Sequence, residues 1–117
     1  MYLTRAEALA EANQEVNAEA IELLNAVRER AGLDDYEEGD FGNYEELVDA
    51  ILHERRIEFA FEGHRVWDLL RKGRDITNIP SGQVETVPYG DNRLIFPIPQ
   101  REMDVNPELE QNDGYGS

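Results

Sequence analysis

The chain has 117 residues, with 26 Asp and Glu against 11 Lys and Arg, a formal net charge of -15 and a pI near 4.3. That length suits one packed domain or a piece of a larger one, burying roughly 65% of the surface its unfolded form exposes. The charge excludes a nucleic-acid binder, which needs a basic patch against phosphates, and docking on anionic lipid through basic residues. Lys72 is the only lysine, so arginine supplies the rest of the positive charge. Many carboxylates with almost no lysine match proteins from high salt, whose acidic surface stays hydrated while its self-repulsion is screened; halophilic origin and an ordinary acidic protein from an Arg-rich genome are the two readings. The absence of Cys excludes disulfides, thiol chemistry and a zinc ribbon. No apolar run approaches the ~20 residues of a membrane helix. Met1 to Glu7 contains neither a signal-peptide apolar stretch nor a lipid-accepting Cys, so the chain as given reads as soluble and unanchored.

In chain order, Leu3 to about Asn13 is dense in Ala, Glu and Leu, which are good helix formers. Leu3, Ala6, Leu9, Ala10 and Asn13 give it a narrow inner face of small residues. Asn17 is the expected N-cap of a second helix over Ala18 to Ala31, with Gly32 as its stop. Its apolar stripe is Ile21, Leu24, Val27 and Ala31, joined by Ala20 and Leu23. Small residues facing larger ones across a tight connection predict an antiparallel helical hairpin of about one tetratricopeptide unit, with no second copy following.

Leu33 to Asn43 is a polar connection holding Asp34, Asp35, Glu37, Glu38 and Asp40. Its spacing lacks the alternate ligands, Gly at six and Glu at twelve of an EF-hand, so it reads as a solvated acidic loop. A third helix is expected from Tyr44 to Phe61, with Leu47, Ala50, Ile51, Ile57 and Phe61 on its inner face. The same face takes in Glu54 and Glu58, with Arg55 and Arg56 beside it. A charge brought to a core face is costly unless paired, so one of these carboxylates should meet an arginine from elsewhere, Arg65 being the nearest candidate. Gly63 bends the chain into a short fourth helix, His64 to about Lys72, carrying Val66, Trp67, Leu69 and Leu70 and ended by Gly73. The third and fourth helices around this corner read as the hydrophobic centre, with Trp67 buried.

From Arg74 onward Pro and Gly break up any helical period. Val84–Val87 and Leu94–Phe96 could pair as a small hairpin, Pro99 to Asp104 could form one helical turn, and the polar tail to Ser117 would lie over the helices. The fold class is therefore mainly α: a tetratricopeptide-like hairpin over residues 1–32, two further helices over 44–73, and a Pro/Gly-rich irregular segment over 74–117 with room for a small β-hairpin. All 117 residues are read as a single segment.

No catalytic constellation emerges. His53-Glu54 opens like a zinc-protease helix, but the second histidine would fall at Ile57. Two histidines in all leave a metal site without its usual ligands; His53 reads as a helix-surface residue and His64 as a turn residue. Lys72-Gly73 lacks the glycine pattern of a phosphate loop, and the only serines are Ser81 and Ser117, both in loops. With 26 carboxylates, any one acid pair is uninformative. The chain reads as no enzyme, with no metal and no cofactor. Among the aromatics, Trp67 and Tyr36, Tyr44, Tyr89 and Tyr115 could stack on sugar rings. Tyr89, in a Pro-Gly loop, is the candidate for an exposed platform.

The run Ile51-Leu52-His53-Glu54-Arg55-Arg56-Ile57-Glu58-Phe59-Ala60-Phe61-Glu62-Gly63-His64-Arg65-Val66-Trp67-Asp68-Leu69-Leu70-Arg71 closely resembles the C-terminal signature of the SusD/RagB family. The resemblance resumes at Leu94 to Asp104 and closes at Asn106 to Tyr115. Arg5 to Ala8 and Ile21 to Arg28 resemble the family's last tetratricopeptide hairpin. The resemblance implies a mostly helical protein that sits on the outer membrane as a surface lipoprotein. It further implies a lid over a TonB-dependent outer-membrane transporter that binds oligosaccharides for import without catalysis. It also implies that Glu54, Arg55 and Arg65 make a buried ionic network, with Glu58 and Trp67 beside it, and that Phe96 to Pro99 pin the tail. Members are several times longer, so the chain is expected to be a C-terminal portion, with the oligosaccharide contacts largely in segments outside it. A free-standing helical interaction module, offering the Leu3–Ala31 hairpin to a partner helix, is the alternative.

Overall fold

The computed structural model describes residues 1–77 and 86–115. It is mainly helical, in two compact units: residues 1–65 and 66–117. The first unit holds α1 (Tyr2–Asn13), α2 (Ala18–Arg30) and α3 (Tyr44–Glu58). A four-residue connection makes α1 and α2 antiparallel neighbours. Ala6 and Ala10 of α1 and Ala20 of α2 are fully buried, so the two backbones can approach closely. The remaining space is filled by Leu24, Leu47, Ile51 and Leu52, the largest fully buried side chains. Truncating any of them to Ala costs about 2–5 kcal/mol.

Local chemistry sets the helix ends. Asn17 Oδ1 accepts the Ala20 N–H at 3.0 Å, as its capping role predicts. At the other end of α2, Gly32 takes φ +73° while its N–H bonds to Glu29 O and the Leu33 N–H to Arg28 O. This pair of bonds is a Schellman motif, which needs a residue tolerant of the left-handed region. Asn43 Oδ1 accepts the Glu46 N–H, and the Glu46 carboxylate reaches back to the Gly42 N–H, closing the start of α3 from both sides.

α3 differs from its predicted face. It buries Leu47, Val48, Ile51, Leu52 and Glu54, whereas Ile57 and Phe61 are exposed. The helix stops at Glu58, so no helical phase carries through to Phe61, and Ile57 lies about 120° around the axis from Ile51. The hydrophobic centre is therefore the α1–α2–α3 packing and not the corner after α3.

α4 (His64–Arg71) buries Asp68 and Leu69 and ends in the same two-bond motif as α2, with Gly73 at φ +63°. Trp67 is 69% exposed, which corrects the expectation of a core tryptophan. Only the Asp68–Leu69 side of α4 is covered, and Trp67 lies about 200° around the helix from Leu69.

In the second unit β1 (Ile76–Thr77) pairs antiparallel with β2 (Thr86–Val87), Ile76 opposite Val87 and Thr77 opposite Thr86. The predicted partner of Val87, Leu94–Phe96, is not a strand: Asp91 caps a 3-10 turn over Asn92–Leu94. Residues 84 and 85 of the predicted strand lie outside the described ones. α5 (Gln100–Val105) starts just after Pro99, whose ring presets φ near -55°. The tail then turns back along Ile95–Ile98. Gln111 both accepts from the Ile98 N–H at 2.8 Å and donates to Ile98 O at 2.9 Å. Asn112 Nδ2 donates to Phe96 O, and the Tyr115 hydroxyl to Ile95 O. The pinning of the tail by this segment is thus present, through backbone groups of 95–98.

Candidate functional site

The most organised polar cluster forms around Glu54, whose place in the apolar stripe of α3 demands a partner. The partner is Arg28 of α2 and not Arg65: Arg28 Nη1 lies 3.1 Å from Glu54 Oε2, with side chains 14% and 4% exposed. The same guanidinium donates from Nε to Asp34 O at 2.8 Å and stacks over the Tyr36 ring, 4.1 Å from its centroid. Three demands of a buried arginine are met at once: a carboxylate, a carbonyl and an aromatic face. Asn25, one turn earlier on α2, pairs with both backbone groups of Tyr36, donating from Nδ2 to its carbonyl and accepting its N–H. Tyr36 also packs on Phe41, ring centroids 5.2 Å apart. The connection after α2 is therefore strapped to that helix by Asn25 and Arg28, while Asp34, Asp35, Glu37, Glu38 and Asp40 stay exposed.

Arg28 was legible after all. It stands four residues after Leu24 and seven after Ile21, so a charge on the inner stripe of α2 faced a charge on the inner stripe of α3.

The other expected network members are placed as follows. Arg55 donates from Nη1 to Thr4 Oγ1 at 3.0 Å and lies over the Phe59 ring at 5.3 Å, tying α3 to α1. Glu58 pairs with Arg30 of α2. Arg65 occupies the first turn of α4 and is half-buried, and Trp67 faces outward. In the second unit, Asp68 is buried and receives Arg71 Nη2 at 2.8 Å and Nε at 3.1 Å. Tyr89 is 58% exposed; its N–H donates to Asp75 Oδ1 at 2.8 Å, and its ring edge lies beside Gly73. Nearby, the guanidinium and backbone N–H of Arg93 hold the Asp91 carboxyl down at about 2.

Among the described residues, no three His, Asp or Glu side chains gather as a metal site, and no helix is long and apolar enough to cross a membrane. A shallow depression of about 260 Å³ lies against Met1, Tyr2, Arg5 and Leu23. Its walls offer no nucleophile or acid–base pair.

SusD-like protein P38 of Formosa agariphila is 37% identical over an alignment 121 residues long, which covers 98% of this chain and 23% of that protein. A candidate sugar-binding protein of Bacteroides vulgatus ATCC 8482, solved at 1.90 Å, shares 31% identity at a TM-score of 0.79, covering 98% of this chain and 27% of that one. A SusD superfamily protein of Parabacteroides distasonis ATCC 8503 shares 30% identity at a TM-score of 0.75, over 97% of this chain and 25% of that one. The chain thus spans about a quarter of the length of these relatives. The SusD family model itself matches residues 1–115. The chain belongs to the SusD family.

Proposed function

We propose that this chain is part of a carbohydrate-binding protein that serves nutrient uptake at the outer membrane and performs no catalysis. The observation that carries the proposal is the family match over residues 1–115, supported by the likeness to the candidate sugar-binding protein of B. vulgatus. Oligosaccharide is the proposed ligand, a TonB-dependent transporter the proposed partner, and the outer face of the outer membrane the proposed location. The relatives are about four times longer, and most saccharide contacts are proposed to lie in the part of them that has no counterpart here. Within it, Tyr89 is the residue put forward for stacking on a sugar ring. A free-standing interaction module fits less well, since the inner face of the α1–α2 hairpin is already filled by Leu47, Val48, Ile51 and Leu52 of α3.

The test is a glycan array followed by calorimetric titration. The probes are the chain itself and a chimera in which it replaces the matched segment of the B. vulgatus protein. Saccharide binding by the chimera, weakened about tenfold by Tyr89→Ala (~1.4 kcal/mol, one stacked ring), is the expected result. Binding unaffected by that change removes Tyr89, and no saccharide bound by either probe refutes the reading.

A further inference from the structure

The segment that follows the 3-10 turn, residues 95–98, is extended and apolar. Ile95 takes φ -110° and ψ 126°, and Phe96 and Ile98 each precede a proline, which pushes them out of the helical region. Ile95 is 59% exposed and Phe96 89%. An open apolar segment of this kind offers its backbone groups to any other extended chain unless something covers them. Here four of those groups are held by side chains of the tail.

In an extended segment, alternate residues present their N–H and C=O to the same side. Ile95 and Pro97 share one side. Pro97 has no N–H, the Ile95 N–H bonds to Asn92 O at 3.1 Å, and the Tyr115 hydroxyl donates to Ile95 O at 2.9 Å. That side has no donor left to give a ladder. Phe96 and Ile98 share the other side. There Gln111 exchanges two bonds with Ile98, accepting its N–H at 2.8 Å and donating to its carbonyl at 2.9 Å. A residue of an antiparallel neighbouring strand would make the same pair of bonds. Asn112 Nδ2 donates to Phe96 O at 2.7 Å, two residues along, where the next pair of such a ladder would fall.

The tail is held for this task at two further points. Gln111 Oε1 also accepts the Asn112 N–H at 2.9 Å, which fixes the direction of the amide. Gly114 takes φ +87°, and a Cβ there would meet Asn92 Cβ and Nδ2 at 2.8 Å, so glycine alone lets the tail turn this tightly against the 3-10 turn. We propose that Gln111, Asn112 and Tyr115 form a latch whose side chains stand in for a strand, closing the pairing edge of 95–98 to a second copy of this chain. The edge is self-complementary. Two copies set antiparallel bring Phe96 of each opposite Ile98 of the other, a two-fold pairing in which both contribute the same groups. Saccharide binding plays no part in it.

Amide exchange followed by NMR reads the latch in the unaltered chain. The Ile98 N–H should be protected, and Gln111→Ala, which removes both bonds, should lower that protection at least about tenfold. Gln111→Glu keeps the acceptor but sets a carboxylate against Ile98 O. Protection should fall near pH 7 and return in part below about pH 4, where the protonated carboxyl can donate again. Sedimentation in about 1 M salt, which screens the repulsion between chains of net charge -15, reads the edge itself. The unaltered chain should be monomeric, and Gln111→Ala/Asn112→Ala should dimerise as its concentration rises. Adding Ile98→Pro removes the N–H on that edge and should restore the monomer. Helical circular dichroism checks that each variant is folded. Should the double variant unfold, Gly114→Ala, which lifts the tail from Asn92 without altering either amide, takes its place. The idea is overturned by an unprotected Ile98 amide or a dimer in the unaltered chain, by unlatched variants that stay monomeric, or by a dimer that survives Ile98→Pro.

Discussion

Arg28→Ala is the sharpest single perturbation the structure offers. Glu54 is accommodated in the α1–α2–α3 core by Arg28, whose Nη1 stands 3.1 Å away, with both side chains largely withdrawn from water. Removing one member of such a pair leaves an uncompensated buried carboxylate, at about 3–5 kcal/mol. The variant also loses the bond to Asp34 O, about 1 kcal/mol, and the stacking on Tyr36, about 0.5–2 kcal/mol. One guanidinium makes all three contacts, so these losses do not add, and about 4 kcal/mol is the working total. A chain of this size has roughly 6–17 kcal/mol of stability altogether. With a urea slope of about 1–3 kcal/mol/M, the midpoint followed by circular dichroism should fall by roughly 1.3–4 M. The double variant Arg28→Met/Glu54→Leu removes both charges while keeping bulk, and should recover at least about half of the loss. A single-variant effect within the ~0.5 kcal/mol of ordinary surface sites, or a double variant no better than Arg28→Ala, would refute the reasoning.

Two further outcomes are expected. Trp67, the sole tryptophan and 69% exposed, should emit at long wavelength in the isolated chain and be quenched readily by iodide. Blue-shifted, protected emission would contradict its placement. Asp91 should titrate near 2, against an ordinary 3.8, because Arg93 donates to its carboxylate from side chain and backbone. A lowered folded-state value means that this turn is stabilised above about pH 3.8 and that the contribution is lost as pH falls toward 2. Carbon-detected titration of the carboxyl reads it directly, and Arg93→Ala should return it toward 3.8. The same midpoint near 3.8 in both proteins would dismiss the pair.

Helix positions were well legible because their signals act within four or five residues. Asn17 and Gly32 bound α2, Gly73 ends α4, and Pro99 starts α5, each through a bond or dihedral that its own neighbourhood specifies. The acidic loop was read correctly as solvated, but its attachment was not. Asn25 and Arg28 bond to backbone groups of Tyr36 and Asp34, and a side chain that recognises backbone leaves no mark on the residues it recognises. Nothing in the sequence of Phe61 announces an exposed ring, since apolar residues are read as inward by default.

By itself, then, the sequence determined the helices, their caps, the acidic surface and the family signature. Each of these is a local chemical preference or a pattern carried by residue identity alone. The tertiary structure decided that Glu54 meets Arg28, that Val87 pairs with Ile76 and not with Leu94–Phe96, and that Trp67 and Phe61 face outward. The meeting of Glu54 with Arg28 and the outward Trp67 depend on how each helix is rotated about its axis, and the exposure of Phe61 on where α3 stops. In the first unit the rotation is fixed by burial of Ala6, Ala10 and Ala20 together with Leu24, Leu47, Ile51 and Leu52. A shift of one residue turns a helix face by about 100°, so an inward position becomes an outward one with no change in composition.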